Sequence, residues 1–386
     1  MNRRQFITIA GLGGLTLAVP AQLQARHTPQ RKVLILVELR GGNDGINTVI
    51  PYADAAYAQL RPGLHIPRDQ VLQLGPDAGL HPALDPLMSM WNRKEMAIVE
   101  GVGYPDPNRS HFRSKDIWTT ASDSAQYLTD GWIGRAMSAA TDRSDLTADG
   151  LIIDSTDAGP MQAPGARSIV MHDPDNFLRV AQSVPSPDKA QGNDALQHIL
   201  GVQSDVRTAT AGIAEAVRNR PDLSGDFGKT PLAQRLQSAA ELLTAGLPVL
   251  AIKVGLKGFD THANQKSAHA RLLGQLAEGL AAFRRVLVRA GKWRDVVVVT
   301  VSEFGRRPSQ NGSGGTDHGT AAPLFVLGGS VKGGRYGSPP SLTDLDGGDL
   351  KYAVDFRSVY ATLSRGLWNV DPAAFGADRF TTLPFL

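Results

Sequence analysis

Two aspartate–histidine pairs, with a glutamate between them, are the residues of this chain best suited to chemistry. The first pair is Asp260 and His262, the second is Asp317 and His318, and Glu303 lies between them. Carboxylate and imidazole side chains together form a ligand set that holds a divalent cation in proteins. The sequence therefore predicts a metal site built from these five residues.

Predicted strands explain how residues so far apart along the chain meet. The apolar runs at 247–254 and 296–301 are typical of buried parallel strands, and Asp260 and Glu303 follow them. Ligands of an α/β sheet bind outside the carboxyl ends of its strands, so we expect these side chains at one sheet edge. A helix cap at Asp260 and a surface turn at Asp317 are the alternatives without function.

Asp44 lies on a glycine-framed turn after the first predicted strand of the mature chain. That strand, residues 31–39, is a nearly continuous apolar run, and Gly41, Gly42 and Gly45 surround the aspartate. Glycine lets the backbone approach a ligand closely. No Gly-Lys-Ser/Thr sequence follows this turn, as a phosphate loop would require, and no Gly-x-Gly-x-x-Gly motif is present. Asp44 is thus a candidate metal ligand, and a tight turn with a local backbone bond is the alternative.

Ser110 precedes a predicted helix over residues 112–119, and His111 follows it directly. A serine at this position is typical of a helix N-cap. A helix N-terminus also holds oxyanions through its free N–H groups and its dipole. A serine there can act as a nucleophile that a metal activates. Two interpretations stay open, a simple cap and a catalytic pair of Ser110 and His111.

Composition limits the classes of function. The chain has 386 residues, 42% of them hydrophobic and 20% charged, and no apolar run long enough to span a membrane. It contains no cysteine, which excludes thiolate nucleophiles, cysteine zinc sites and sulfatases that convert a cysteine. The formal charge of +3 includes Arg3 and Arg4 of a removable leader, and no basic stripe is present. We therefore expect no nucleic-acid partner.

Residues 1–25 are predicted to be an export signal. Two adjacent arginines precede Gln-Phe-Ile, an apolar stretch covers residues 7–19, and Ala21 or Ala25 offers a cleavage point. Paired arginines are typical of the twin-arginine signals that direct folded proteins to export. We expect a periplasmic or secreted protein that uses the twin-arginine export machinery, without a stable membrane span in its mature form. A chance basic N-terminus is the alternative.

Apolar runs alternate with helical patterns along the chain. This alternation predicts an α/β fold, a doubly wound and mostly parallel sheet with helices on both faces. Helical periodicity is clearest over 266–290, and Thr230 followed by Pro231 begins another helix. Loops rich in proline, glycine, aspartate and serine flank a predicted helical insertion at about 186–245. We expect one domain over 26–386 that carries this insertion, and two independent domains are the alternative.

Four short motifs, in a fixed order, carry a resemblance to known proteins. They are Leu-Arg-Gly-Gly-Asn-Asp-Gly at 39–45, Asp-Thr-His at 260–262, Ser-Glu-Phe-Gly-Arg at 302–306 and Gly-Thr-Asp-His-Gly at 315–319. Their order resembles the alkaline phosphatase superfamily. Together with the leader, the set resembles a large, poorly characterised family of exported bacterial proteins within it. The likeness extends from about residue 33 to residue 365.

The resemblance implies a doubly wound sheet with a metal site at its edge. The metal ligands that it implies are Asp44, Asp260, His262, Glu303, and Asp317 or His318. Ser110 is the counterpart of the nucleophile, with His111 beside it. Glu303 stands where an Asp-His pair is usual, and Phe304 takes the place of the histidine. We therefore expect one or two divalent ions, Zn, Mn or Ca.

Two functions are consistent with these observations. The first is an exported metal-dependent hydrolase or transferase that acts on phosphate or sulfate esters of small molecules or polymers. Ser110 would be its nucleophile, and Arg306 or Arg109 would neutralise the oxyanion. The second is a non-catalytic exported binding protein on the same fold with a degenerate metal site, which Phe304 favours.

Overall fold

The computed structural model describes residues 32–153, 157–181 and 194–386, without side chains for 194–206. The predicted export signal at 1–25 lies outside the described residues, as do residues 186–193 of the predicted insertion. Within the described ranges, no helix has both the length and the apolar character needed to cross a bilayer.

The described part of the chain contains sixteen strands. They are β1 (Val33–Arg40), β2 (Val49–Ile50), β3 (Leu72–Gln73), β4 (Gly79–Leu80), β5 (Met96–Gly103), β6 (Gly150–Ile153), β7 (Ser168–Met171), β8 (Ala251–Lys257), β9 (Val296–Val301), β10 (Arg306–Gln310), β11 (Thr316–His318), β12 (Ala322–Leu327), β13 (Gly334–Gly337), β14 (Leu345–Asp346), β15 (Asp349–Leu350) and β16 (Val354–Asp355).

The central sheet is mostly parallel. Its order is β13-β5-β12-β9-β1-β8-β6-β7, and β16 also pairs with β5. β1 lies near the middle, in parallel register with β8 on one side and β9 on the other. β12 is antiparallel to both of its neighbours, β5 and β9. The order reverses on either side of β1, as in doubly wound sheets, so the predicted fold class is confirmed.

Helices lie between the strands and cover the sheet. They are α1 (Ala55–Leu60), α2 (Met88–Asn92), α3 (His111–Thr120), α4 (Trp132–Ala139), α5 (Pro174–Ala181), α6 (Asp194–Asn219), α7 (Pro231–Thr244), α8 (Gln265–Arg289) and α9 (Phe356–Trp368). The predicted start of α7 is confirmed, since the Thr230 hydroxyl accepts a hydrogen bond from Ala233 N at 3.3 Å. α8 corresponds to the helix predicted over 266–290.

The apolar run of β1 is continuous because both of its faces are covered. Successive strand residues point to opposite faces. Val33, Ile35 and Val37 pack in one core with residues of α7 and α8. Leu34 and Leu36 pack in a second core with residues of α3, α4 and α9. Burial of each such side chain contributes roughly 1.5–3 kcal/mol, so the two cores fix the strand ends on which the site is built.

Two local predictions were wrong. The strand predicted at 247–254 begins at Ala251, because residues 245–247 cap α7: Gly246 has a φ of 86°, and Leu247 N donates to Leu242 O at 3.0 Å. The surface turn considered as the alternative at Asp317 does not form either, because this residue lies in β11, which pairs antiparallel with β10. This hairpin folds the second aspartate–histidine pair back over the carboxyl edge of the sheet.

Candidate metal centre

Four elements bring side chains with possible chemistry to the carboxyl edge of the central sheet. Asp260 and His262 lie in the loop between β8 and α8, and Glu303 follows β9. His111 is the first residue of α3, and His318 is the last residue of β11. The predicted meeting of these segments at one sheet edge therefore occurs.

Asp260 is the point on which the histidines converge. Its Oδ1 lies 3.0 Å from His262 Nε2 and 3.1 Å from His318 Nε2. Its Oδ2 lies 3.4 Å from His111 Nε2. Ligand atoms of His111, Asp260 and His318 all lie within 4.8 Å of one another. The side chain of Asp260 is 46% exposed, so a small ion has access to this group from solvent.

The other ring nitrogen of each histidine is held by an acceptor. The three contacts are His111 Nδ1 to Glu303 Oε1 at 2.9 Å, His318 Nδ1 to the Arg109 carbonyl at 2.8 Å, and His262 Nδ1 to Asp317 Oδ1 at 3.5 Å. A proton on each Nδ1 satisfies these acceptors and leaves each Nε2 with a lone pair. Metal-binding histidines are held in this way by carboxylates or carbonyls behind them.

The two closest imidazoles fit a cation between them. His262 Nε2 and His318 Nε2 lie 2.9 Å apart. When each ring carries its proton on Nδ1, the lone pairs of the two Nε2 atoms face and repel each other. A cation bound between the two nitrogens would attract both lone pairs. Two nitrogens bound to tetrahedral zinc at 2.0–2.1 Å lie about 3.3 Å apart, so the rings need to move by only a few tenths of an ångström. The residues present therefore fit a zinc-type ion.

Arg306 is buried beneath the centre and holds Asp260 in place. Its guanidinium donates to Asp260 Oδ1 at 2.7 Å, and to the carbonyls of Gly42 at 2.7 Å and Thr316 at 2.9 Å. Burial alone would raise the pKa of Asp260, but the hydrogen bond from Arg306 and the positive charge of that guanidinium outweigh burial and lower the pKa to about 2. Every guanidinium nitrogen donates within the protein. Arg306 therefore positions the Asp260 carboxylate, and its nitrogens are already used within the protein rather than directed at an oxyanion.

Glu303, predicted as a metal ligand, lies behind His111. Its Oε1 accepts hydrogen bonds from His111 Nδ1 and from Gly41 N, both at 2.9 Å. Gly41 has a φ of 119°, and a Cβ there would lie 2.4 Å from Asp260 N, so only glycine lets these loops touch. Glu303 thus orients an imidazole and ties the β1 loop to the centre.

Phe304 stands where the resemblance implies a histidine ligand, and it offers only an apolar ring. Its side chain is buried, and its ring centre lies 4.9 Å from that of His111 and 4.6 Å from that of His318. A Cβ at Gly42 would lie 2.4 Å from the Phe304 ring, so the glycine makes room for it. The phenylalanine supports two imidazoles from behind and adds no donor atom.

Asp317 lies in the outer layer of the group. Its Oδ1 faces His262 Nδ1 and accepts a hydrogen bond from Asn311 Nδ2 at 3.1 Å. Asn311 also donates to the His262 carbonyl at 2.9 Å. Asn311 was missed by the sequence analysis, because an asparagine in a glycine-rich turn is ordinary turn chemistry.

Asp44, predicted as a metal ligand, belongs to a separate buried network. Its Oδ2 accepts hydrogen bonds from Arg61 and Gln265, and the side chains of Asp44 and Arg61 are fully buried. Burial alone would raise the pKa of Asp44, but the Arg61 charge holds it below its ordinary value. Arg61 also donates to the carbonyls of Pro308 at 2.8 Å and Arg307 at 2.9 Å. Arg61 and Gln265 thus occupy Oδ2, whereas Oδ1 is buried without a hydrogen-bond partner among the described residues.

Two buried histidines extend that network. His269 Nε2 contacts Asn43 Oδ1 at 2.9 Å, and the His81 ring packs edge-on against the His269 ring at 5.9 Å. Burial lowers the pKa of each of these histidines to about 4. Both are therefore neutral at pH 7. The sequence analysis missed them, because neither lies next to another candidate ligand.

Ser110 lies at the N-cap position of α3, but its side chain makes no capping hydrogen bond. It is exposed, and its backbone N donates to Asn108 Oδ1 at 2.9 Å. The hydroxyl is thus not used as a cap and stands beside His111. The Arg109 guanidinium pairs with Asp349 at 2.8 Å, and its own side chain is 46% exposed.

The sequence matches one family of proteins. A model of the family described as "Protein of unknown function (DUF1501)" matches residues 66–367. A search of the curated proteins found no match.

Several solved structures are similar to this chain over most of its length. The C-terminal periplasmic domain of EcEptC from Escherichia coli is 10% identical and has a TM-score of 0.41, with 92% of this chain and 87% of that chain covered. The lipoteichoic acid synthase LtaP from Listeria monocytogenes is 11% identical, with a TM-score of 0.37 and coverage of 90% and 75%. A protein in the alkaline phosphatase superfamily from Vibrio parahaemolyticus is 11% identical, with a TM-score of 0.34 and coverage of 80% and 62%.

Proposed function

This chain belongs to the DUF1501 family of unknown function, and we propose that it is an exported, zinc-dependent hydrolase or transferase of phosphate or sulfate esters. The observation that supports this proposal is that the Nε2 atoms of the histidines converge on Asp260, while acceptors behind the rings hold the Nδ1 atoms. Imidazole-rich sites favour zinc, whereas calcium prefers sites made entirely of oxygen ligands.

The proposed ligands are Asp260, His262 and His318. The Nε2 atoms of His262 and His318 lie 3.0 and 3.1 Å from the same carboxylate oxygen, Asp260 Oδ1. Three protein ligands leave a coordination position open, as in catalytic zinc sites. His111 faces the other carboxylate oxygen from 3.4 Å, next to Ser110. It is therefore on the side from which an ester would enter.

A divalent cation bound here would supply Lewis acidity toward an oxygen of the phosphate or sulfate group. The chain itself supplies the nucleophile and part of the anion site. The Ser110 hydroxyl has no capping partner, and the first N–H groups of α3 have no partner within the helix. A helix N-terminus attracts an anionic group through these N–H groups and its dipole. This arrangement replaces the predicted role of Arg306 in neutralising the oxyanion.

His111 is the proposed proton carrier. Its Nδ1 is held by Glu303 at 2.9 Å, which keeps Nε2 free to accept a proton. As Ser110 Oγ attacks phosphorus or sulfur, its proton passes to His111 Nε2, and that proton then goes to the departing alcohol oxygen. Water, or an acceptor alcohol in a transferase, next attacks the seryl ester, gives its proton to His111, and the proton returns to Ser110 Oγ as the product leaves.

A non-catalytic binding protein is the second candidate function. Two positions differ from the ligand set that the resemblance implies: Phe304 has no donor atom, and Oδ2 of Asp44 is paired with Arg61. A single remaining cation is also consistent with a site that only binds an anionic partner.

An ester panel assayed with defined metal content separates the two candidates. The mature chain is loaded with zinc and assayed with phosphate monoesters, phosphate diesters and sulfate esters. We expect turnover of at least one class, and a loss of about 100-fold or more in kcat for Ser110→Ala and for His111→Ala with zinc retained. Ser144→Ala, at an exposed serine outside the centre, is the control and should keep full activity. Zinc binding without turnover of any ester would instead favour the binding protein.

A further inference from the structure

A cavity of about 220 Å³ opens directly beside the metal centre. His111 and Glu303 form part of its wall, so the cavity and the centre share two residues. It lies on the face of the sheet that α3 covers. A group attached to an ester held at the centre therefore has a space into which it can extend.

The wall of this cavity is mostly apolar. From α3 it receives Phe112 and Thr119, which are seven residues apart and so lie on one face of the helix. Trp118 and Val301 add further apolar surface. Phe112 is 86% exposed, although it is a large hydrophobic side chain. An exposed aromatic ring at the mouth of an apolar cavity is a surface for stacking another flat group.

The charged groups around the cavity contact groups of opposite charge. Arg40 pairs with Glu38 at 2.7 Å, and Lys115 pairs with Asp157 at 2.5 Å. Lys253, fully buried below them, lies 3.6 Å from Glu38 and donates to the Asp157 carbonyl at 2.8 Å. A charged occupant would have to compete with these pairs. An uncharged one would not.

We propose that this cavity binds the uncharged, flat, apolar alcohol part of the substrate, which makes the preferred substrates aryl esters. The inference rests on the proposed function, because the cavity becomes a substrate subsite only if the ester group is held at the metal centre. In that arrangement the anionic group contacts the centre and the N-terminus of α3, and the ring stacks on Phe112 and enters between α3 and the ends of β1 and β9.

Binding of a stable aryl sulfonate tests this inference without turnover. The probe 2-naphthalenesulfonate carries the ring and an anionic group that cannot be hydrolysed, and methanesulfonate carries the anionic group alone. Calorimetry with the zinc-loaded full chain should show about tenfold or more preference for the naphthyl probe. Phe112→Ala should weaken naphthyl binding about three- to tenfold, whereas Tyr127→Ala, an equally exposed aromatic outside the cavity wall, should not.

A second pair of variants blocks the cavity itself. Thr119→Phe places a ring in the cavity, and Asp116→Phe places the same ring on the exposed side of α3. We expect Thr119→Phe to weaken naphthyl binding about tenfold while methanesulfonate binding is unchanged, and Asp116→Phe to match the unaltered chain. Equal affinity of naphthyl and methyl probes, or no effect of both Phe112→Ala and Thr119→Phe, would overturn the inference.

The neutral ring alone separates this inference from the proposed function. If 2-naphthol binds the unaltered chain and not Thr119→Phe, while no ester is turned over, the cavity is a ring-binding site and the proposed hydrolase is wrong. If esters are turned over with no preference for aryl groups, the hydrolase stands and the proposed role of the cavity is wrong.

Discussion

Asp260 and Asp44 each have an arginine and a histidine nearby, but they lie in opposite surroundings. Asp260 is half exposed, and the Nε2 atoms of three histidines face it from the open side. Asp44 is fully buried, and its Oδ2 is occupied by Arg61 and Gln265. The histidine beside it, His269, is neutral because burial lowers its pKa to about 4.

The two carboxylates differ in the source of the positive charge beside them. A buried carboxylate needs a partner supplied by the chain, since an unpaired charge in the interior is strongly destabilising. At the open edge of the sheet, a cation from solvent can be that partner. The same residue types therefore form a structural ion pair in one place and a candidate metal centre in the other.

Removal of Arg61 is expected to have the largest effect on stability. In Arg61→Met, the Asp44 carboxylate stays buried without its counter-charge, and two backbone carbonyls lose their donor. We expect a loss of about 3–5 kcal/mol in the free energy of unfolding, measured by urea denaturation. Arg109→Met removes a half-exposed pair and should lose about 1 kcal/mol or less. Similar losses in both variants would remove the distinction between the two regions.

Acid should destabilise the buried network through His269. Burial lowers the pKa of His269 from its ordinary 6.5 to about 4. Between pH 4 and pH 6.5 the unfolded chain binds a proton at this histidine that the folded chain does not. The contribution of neutral His269 to the free energy of unfolding is therefore complete above pH 6.5 and is lost as the pH falls toward 4. The contribution of this group is roughly 3 kcal/mol over that window. His269→Gln should flatten the dependence of unfolding free energy on pH, and an unchanged slope would contradict the assignment.

Removal of His262 is expected to weaken metal binding without a comparable loss of stability. His262→Ala removes one proposed metal ligand. The His262 side chain is 45% exposed. Since loss of an outer partner already weakens metal sites by 10–100-fold, we expect the zinc affinity to fall by about 100-fold or more. Competition with a chelator measures this. His65→Ala, at a partly exposed histidine outside the centre, should bind zinc as tightly as the unaltered chain.

The smallest expected effect comes from Asp317, behind His262. Asp317→Asn keeps the size of the side chain but weakens the acceptor for His262 Nδ1. Asp317 is 58% exposed, and its contact with His262 is 3.5 Å long. We therefore expect the zinc affinity to fall by about tenfold, the smaller end of the range for residues that hold a metal ligand from behind. A loss as large as that of His262→Ala would mean that Asp317 is itself a ligand.

The sheet and the position of the site follow from patterns that are local in sequence. The apolar runs that became β1 and β9 are continuous because both sheet faces are covered, and Asp260 and Glu303 follow strands of that sheet. Such signals span fewer than about ten residues, as strands do. The prediction of an α/β sheet with polar residues at its carboxyl edge therefore needed no knowledge of distant contacts.

The partner of each side chain was not predictable in the same way. Arg61 lies 17 residues after Asp44, in a segment without a recognisable motif, and Gln265 lies 221 residues after it. Whether a carboxylate meets a guanidinium or an open edge depends on how these distant segments pack. Glu303 likewise has a carboxylate that could bind a metal. It orients an imidazole instead, because His111, 192 residues earlier in the sequence, lies against it.

We propose that a metal binds at Asp260 and not at Asp44. Anomalous diffraction at the zinc absorption edge, from crystals of the zinc-loaded chain, tests it directly. We predict one peak, bounded by Asp260 and the Nε2 atoms of His262 and His318, and none beside Asp44. A peak beside Asp44, or no peak between His262 and His318, would contradict the proposed metal site.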